Sequence, residues 1–237
     1  MERVELLEQV NKLEWMHRID LGDGIVTPGK WPVNQYIVKA FNDIDFRGKK
    51  VLDIGAEIDP ECKSSIQFID GYKWKDKISA INLSPEHISK IKSFYPFVDA
   101  RVCDARSLPW EDKYFDIVYS NAVIEHLGTF ANQVKMASEI MRVGKSWFIA
   151  TPNRWYPFEF HMRLPFVTWL PCHGYLWVGS KISYNHELKK YVKGNRRSDL
   201  RLLSVRELKK CFPGSNITVS RVTFMAETLI CIGGHAA

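Results

Sequence analysis

The side chains able to do chemistry in this 237-residue chain gather just after short apolar runs. Lys50 to Ile54 (KVLDI) leads into Asp53 to Pro60, which holds Asp53, Glu57 and Asp59. Asn82 to Ser84, Asp104 to Arg106, Asn121 to His126 and Thr151 to Arg154 close four further runs. In an open α/β sheet, ligands bind outside the carboxyl ends of the strands, so these five stretches are the ones to inspect. A dinucleotide-binding turn uses glycines to bring backbone onto a pyrophosphate. Carboxylates at Glu57 and Asp59 would oppose that anion and suit a cation instead. Asn82 can donate and accept hydrogen bonds but contributes no charge. The five cysteines, Cys62, Cys103, Cys172, Cys211 and Cys231, show no two-residue spacing, so neither a disulfide framework nor a zinc knuckle is expected, and no metal. Their thiols should be reduced and mostly buried.

These stretches need a scaffold, and hydrophobic period supplies one. Lys50 to Ile54 and Ile78 to Leu83 read as buried parallel strands. Ser84 as N-cap and Pro85 at the first helical position open a helix burying Ile88, Ile91 and Tyr95. Val98 to Cys103, Phe115 to Ser120 and Ser146 to Ala150 are further strands, and Asn132 to Val143 is a helix. Strands alternating with helices predict a doubly wound, mostly parallel seven-stranded sheet with helices on both faces. Thr151 to Val178, crowded with aromatics and prolines, reads as an irregular or broken-helix insertion, with the whole insertion spanning about 152–203. Ser204 and Glu207 have capping-box spacing for a helix from Val205 to about Cys211. Ile217 to Phe224 and Thr228 to Ile232 read as a terminal antiparallel hairpin. Ahead of this domain, 46–237, residues 1–45 form a helical lead, with one amphipathic helix over Glu2 to His17 and a second around Val33 to Ala40.

Composition agrees with one α/β domain plus a cap. The hydrophobic fraction is 46% and the charged fraction 25%, which excludes a disordered chain. A chain this long buries about 70 to 75% of its unfolded surface and needs no staple. The longest apolar stretch, Leu164 to Val178, is too short and too interrupted to span a bilayer. Met1 to Val10 lacks the apolar run of a signal peptide, so a cytoplasmic protein is expected. The net charge of +6 hides a split: 18 basic and 22 acidic residues up to Ile140, then 15 basic and 5 acidic from Met141 onward. Such an asymmetry marks a face for an anionic partner or a solvated basic surface.

VLDIG at Val51 to Gly55, DARSLPWEDKYFDIVYSNAVIEHLG at Asp104 to Gly128 and ATPNRWYPFEFHMRLPFVTWLP at Ala150 to Pro171 resemble the methyltransferase type 11 group of class I S-adenosylmethionine-dependent methyltransferases. The resemblance covers about Lys50 to Pro171 and is most specific in its middle section. It implies S-adenosyl-L-methionine as cofactor. Asp53 and Gly55, with Ala56 and Glu57, would lie beside its methionine part. Asn82 and Leu83 would meet the ribose, Asp104 and Ala105 the adenine edge, and Asn121 and Ala122 the floor near the sulfonium. The family usually has glycines two and four residues after Gly55, where this chain has Glu57 and Asp59, and an acid where it has Asn82. The cofactor carries a sulfonium and an ammonium but no phosphate, so acidic residues in the turn are compatible with it.

Methyl transfer asks for an electrophilic methyl, an acceptor lone pair in line behind it and a low-water pocket. A base is needed only where the acceptor loses a proton. By the resemblance His126 is the first candidate, and His161 with Glu159, in the segment expected to cover the acceptor, is the second. Both also admit a purely structural role. Trp155, Tyr156, Phe158, Phe160, Phe166 and Trp169 could pack, line an acceptor lid or touch lipid. Lys189, Lys190, Lys193, Arg196, Arg197 and Arg201 suit either solvent or phosphate on a nucleotide sugar, a lipid-linked glycan or RNA. No ordered RNA-binding module accompanies them, so nucleic acid is not the expected partner. The resulting expectation is methylation of oxygen or nitrogen on a small-molecule or glycan-like, anionic acceptor. The competing reading is a degenerate, non-catalytic member that keeps the fold for binding or assembly.

Overall fold

The structure, a computed structural model, describes residues 44–58, 67–72, 74–159, 161–185, 190–193, 200–222 and 225–234. The two expected N-terminal helices, Asp59, Phe160, Lys189, Arg196 and Arg197 lie outside these residues. Seven strands form one sheet: β1 (Val51–Ile54), β2 (Ile78–Asn82), β3 (Asp99–Val102), β4 (Phe115–Asn121), β5 (Gly144–Pro152), β10 (Asn216–Val222) and β11 (Met225–Gly234), in the order β10-β11-β5-β4-β1-β2-β3. The central strand β1 runs parallel to both neighbours, Val51 facing Ile78 on one side and Ile117 on the other. β2 and β3 are also parallel, while β10 and β11 are antiparallel. All four residues of β1 are buried, as a strand covered on both faces requires. The order reverses at β1, with β2 and β3 to one side and β4 and β5 to the other. This is the switch point at which such folds bind ligands.

Compact packing groups the described residues into two units. The first contains those up to Asn121 with Glu139–Phe148 and Gly234. Its core is Val51, Leu52, Ile54, Ile78, Ile81, Phe115 and Val118, with Ile88 and Ile91 contributed by α2 (Pro85–Phe94). As the sequence predicts, Ser84 caps α2 by accepting from the His87 N–H, and Pro85 sits at the helix start. Tyr95 ends that helix, and its hydroxyl donates to Asp70 at 2.6 Å. Asp70 belongs to the single helical turn α1 (Phe68–Gly71), which follows β1 in the chain.

The second unit comprises Ala122–Ser138 and Ile149–Gly233. A one-turn 3-10 helix (Ile124–Leu127) opens it, and the long helix α3 (Phe130–Val143) begins in it. The aromatic-rich segment is more ordered than its composition suggests. It forms two short antiparallel ladders, β6 (Phe158–Glu159) with β7 (Leu164–Pro165) and β8 (Ser183–Asn185) with β9 (Lys190–Val192), and the ten-residue helix α4 (Cys172–Lys181). Met162, Val167, Tyr175, Leu200 and Leu202 form its buried centre, and the Tyr175 hydroxyl donates to the Leu200 carbonyl at 2.8 Å. Met162 and Tyr175 thus supply the packing that short strands lack. Trp155, Phe166 and Trp169 are about half exposed, with Phe166 and Trp169 edge to face. Ser204 and Glu207 form the expected capping box at the head of α5 (Val205–Cys211). Cys211 and Cys231 are buried and Cys103 is half-buried, none of the three in a disulfide. Among the described residues no helix is long and apolar enough to cross a membrane.

Candidate active site

In the first unit, a groove opens at the carboxyl end of β1, lined by Asp53, Gly55, Glu57, Gln67, Phe68, Tyr119 and Asn121 among others. Gly55 makes the turn possible. Its φ of 78° lies in the left-handed region that glycine enters without penalty. The Gly55 and Ala56 N–H groups both donate to the Ile81 carbonyl, at 2.8 and 3.0 Å, which ties the turn to β2. Asn82 strengthens that tie. Its amide donates to the Ala56 carbonyl at 3.0 Å, and its Oδ1 accepts from the Ser84 N–H at 2.9 Å. An aspartate could not donate to Ala56, so the asparagine that departs from the family pattern supports the altered turn.

The groove is electronegative. Burial pushes the Asp53 carboxyl up to about 8, and the neighbouring Asp70 and Glu57 charges push in the same direction against a smaller pull from Lys75. Glu57 is half exposed and pairs with His87 at 3.1 Å. Phe68 stacks on Tyr119 with ring centroids 4.1 Å apart, giving the groove an apolar aromatic wall. Beside it, the buried Ser120 hydroxyl has no hydrogen-bond partner among the described residues. The other candidates line up along the sheet. Leu83 is exposed after β2, and Ala105 is buried after β3. Both Asp104 oxygens are bonded by Arg106, which donates from its Nε and Nη2 and from its backbone N–H. Sequence reading found Asp53, Gly55, Glu57 and Asn121 of this groove. It missed Gln67, Phe68 and Tyr119, which only the parallel pairing and the chain around α1 bring to the same end.

The second unit holds the proton-transfer candidates. Ala122 has a left-handed φ of 55°, rare for a side chain with a Cβ, and its N–H donates to the Ala150 carbonyl at 2.9 Å. Three residues on, Glu125 and His126 sit on the 3-10 turn, with Glu125 fully buried. Gln133 pins that turn, donating to the Ile124 and Arg201 carbonyls at 3.0 and 2.7 Å. Glu125 Oε2 accepts from the Thr151 hydroxyl at 3.0 Å, whereas Oε1 has no partner among the described residues. Burial raises the Glu125 carboxyl above its ordinary range, and His126, His161 and the Thr151 bond pull it back only in part. The His126 and His161 rings meet edge to face, centroids 5.0 Å apart. Glu159, also buried, lies 2.6 Å from His161 Nδ1 and accepts the His161 and Met162 N–H groups. A carboxylate accepting two backbone N–H groups assigns the proton to Nδ1 of His161. All three catalytic candidates from the sequence, His126, His161 and Glu159, therefore meet in one cluster. Glu125, adjacent in the same IEH motif, was not among them.

Comparison with known proteins finds similarity over part of the chain. Residues 66–147 match the family described as a methyltransferase domain. A protein described as a probable S-adenosylmethionine-dependent methyltransferase from Mycolicibacterium smegmatis is 30% identical over 78 residues, 33% of this chain and 30% of that protein. A similarly described protein from Mycobacterium tuberculosis is 28% identical over 78 residues, 33% of this chain and 28% of its own length. The matched stretch thus spans less than a third of the curated relatives. An S-adenosylmethionine-dependent methyltransferase from Clostridium acetobutylicum, solved by crystallography, shares the fold with a TM-score of 0.53 at 11% identity, over 84% of this chain and 88% of that one.

Proposed function

We propose that this chain is a class I S-adenosylmethionine-dependent methyltransferase acting on oxygen or nitrogen of a small-molecule or glycan-like, anionic acceptor. The observation that carries the reading is the acidic groove after β1. There burial first, and the nearby Asp70 and Glu57 charges second, hold the Asp53 carboxyl largely protonated near neutral pH. A ligand bringing positive charge relieves that arrangement, and a pyrophosphate aggravates it. S-adenosylmethionine, when bound, supplies a methyl group on a sulfonium and a second positive charge on its ammonium. Asp53, Gly55, Ala56 and Glu57 would hold the methionine end. The buried Phe68–Tyr119 stack backs the groove. Asn82 and Leu83 would meet the ribose, Asp104 and Ala105 the adenine edge, and Asn121 and Ala122 the floor. With Asp104 already engaged by Arg106, the adenine contact falls to backbone near Ala105 and to whatever Asp104 can share.

Where the acceptor loses a proton, the reading assigns it to the imidazole pair His126 and His161, with Glu159 fixing the His161 tautomer and orientation. Calorimetric titration tests the cofactor step. S-adenosylmethionine should bind one per chain, and Asp53→Asn should weaken it. No heat of binding up to millimolar cofactor would sink the enzyme reading. Binding without methyl transfer across a panel of phosphorylated and glycan acceptors would favour the non-catalytic alternative.

A further inference from the structure

We propose that Glu125, His126 and His161 form a binding site for one divalent transition-metal ion, zinc being the best fit. One ligand atom from each residue lies within 4.8 Å of the others. In a tetrahedral zinc site with bonds of about 2.0–2.2 Å, ligand atoms stand about 3.4 Å apart, so small side-chain rotations close the set. Two imidazoles and one carboxylate suit zinc, cobalt or iron(II), whereas magnesium and calcium take oxygen donors.

Two independent observations point at a cation. Glu125 is fully buried, and its Oε1 has no hydrogen-bond partner among the described residues although its other oxygen accepts from Thr151. A buried carboxylate oxygen without a donor is costly, and a metal ion supplies the missing positive charge. The second is Glu159 behind His161. A buried carboxylate on Nδ1 is the arrangement that orients metal-ligating histidines, since it leaves Nε2 as the coordinating atom and raises its basicity. Gln133 and Arg201 hold the 3-10 turn from behind: Gln133 bonds the Ile124 carbonyl, and the Arg201 N–H donates to the Glu125 carbonyl at 2.7 Å. Three protein donors leave a fourth position for water or another oxygen ligand.

This site goes beyond the methyl-transfer reading and stands without it; an imidazole nitrogen bound to the ion cannot also accept a proton, so His126 and His161 act as the base only in the metal-free chain. The test uses the full chain after chelator treatment and dialysis. Zinc binding by equilibrium dialysis with elemental analysis should give one ion per chain, and Co2+ should produce the visible absorption of a four-coordinate nitrogen and oxygen site, lost on adding Zn2+. His161→Ala and Glu125→Gln should each weaken binding at least 100-fold, and Glu159→Gln 10- to 100-fold. His87→Ala should change nothing. Because the buried Glu125 variant could lose its fold, the unaltered protein gives a second readout: diamagnetic Zn2+ should shift the imidazole NMR signals of His126 and His161. Absence of stoichiometric binding at millimolar metal, thiolate-type cobalt absorption, or unshifted His126 and His161 signals would overturn the site.

Discussion

Asp53 and His126 carry opposite kinds of single-residue prediction. Asp53 is protonated in the fold up to about pH 8 and ionises near 3.8 when exposed, so folding takes up a proton between those values. Stability from this group is therefore fully present below about 3.8 and is lost as pH rises through about 8. Asp53→Asn, which cannot ionise, should flatten that loss, and urea melts at pH 6 and pH 9 would show it. A cationic ligand reverses the preference. Cofactor affinity should rise with pH between 6.0 and 7.5, by at most about tenfold per unit for one released proton, and Asp53→Asn should remove the slope. Calorimetry at three pH values checks this, and a flat wild-type profile would show that no cation sits against Asp53. His126 should behave differently. His126→Ala should lower turnover on an acceptor that loses a proton by about 100-fold while leaving cofactor affinity within about twofold.

At the scale of elements, two devices are testable because each is local. The turn after β1 needs a left-handed residue at Gly55, and Gly55→Ala places a Cβ there at a cost of about 1–2 kcal/mol. Since the same turn backs the groove, the loss should appear both in urea unfolding and as weaker cofactor binding. Alanine tolerated without either change would show that the turn relaxes. At α5, Ser204 Oγ accepts from the Glu207 N–H while Glu207 Oε2 accepts from the Ser204 N–H at 2.9 Å. Ser204→Ala should cost about 1 kcal/mol of stability and leave binding alone. Both devices were legible beforehand, as VLDIG and as the three-residue spacing from Ser204 to Glu207. Capping and turn formation depend on neighbours in the chain.

For the molecule as a whole, charge is the useful variable. The acidic excess up to Ile140 contains the groove after β1, and the basic excess from Met141 onward contains the segment assigned to acceptor choice. Lys190 and Lys193 are both exposed, so they meet an acceptor or solvent. With an anionic acceptor, kcat/KM should fall severalfold between 50 and 300 mM salt, about the range over which screening shortens to less than a nanometre. Lys190→Gln with Lys193→Gln should reduce that dependence. Kinetics indifferent to salt in both proteins would return these lysines to an ordinary solvated surface.

The sequence alone determined the alternation of the core strands with α2, α3 and α5, the β1 turn, both helix caps and the run of candidates from Asp53 to His126, because each is written in hydrophobic period or near-neighbour spacing; α1, α4 and the short ladders of the insertion were not legible in it. Tertiary structure decided what those candidates touch. Phe68 and Tyr119 reach the groove through a helical turn and parallel pairing, and pairing across a sheet leaves no local pattern to read. The same holds for Glu125 and His126 against His161, 35 residues away in the chain. Cysteine spacing argued against a metal, yet a donor set assembled across a fold has no spacing. Only the fold showed that Glu125 Oε1 is left without a donor among the described residues, and only packing set Glu159 behind His161.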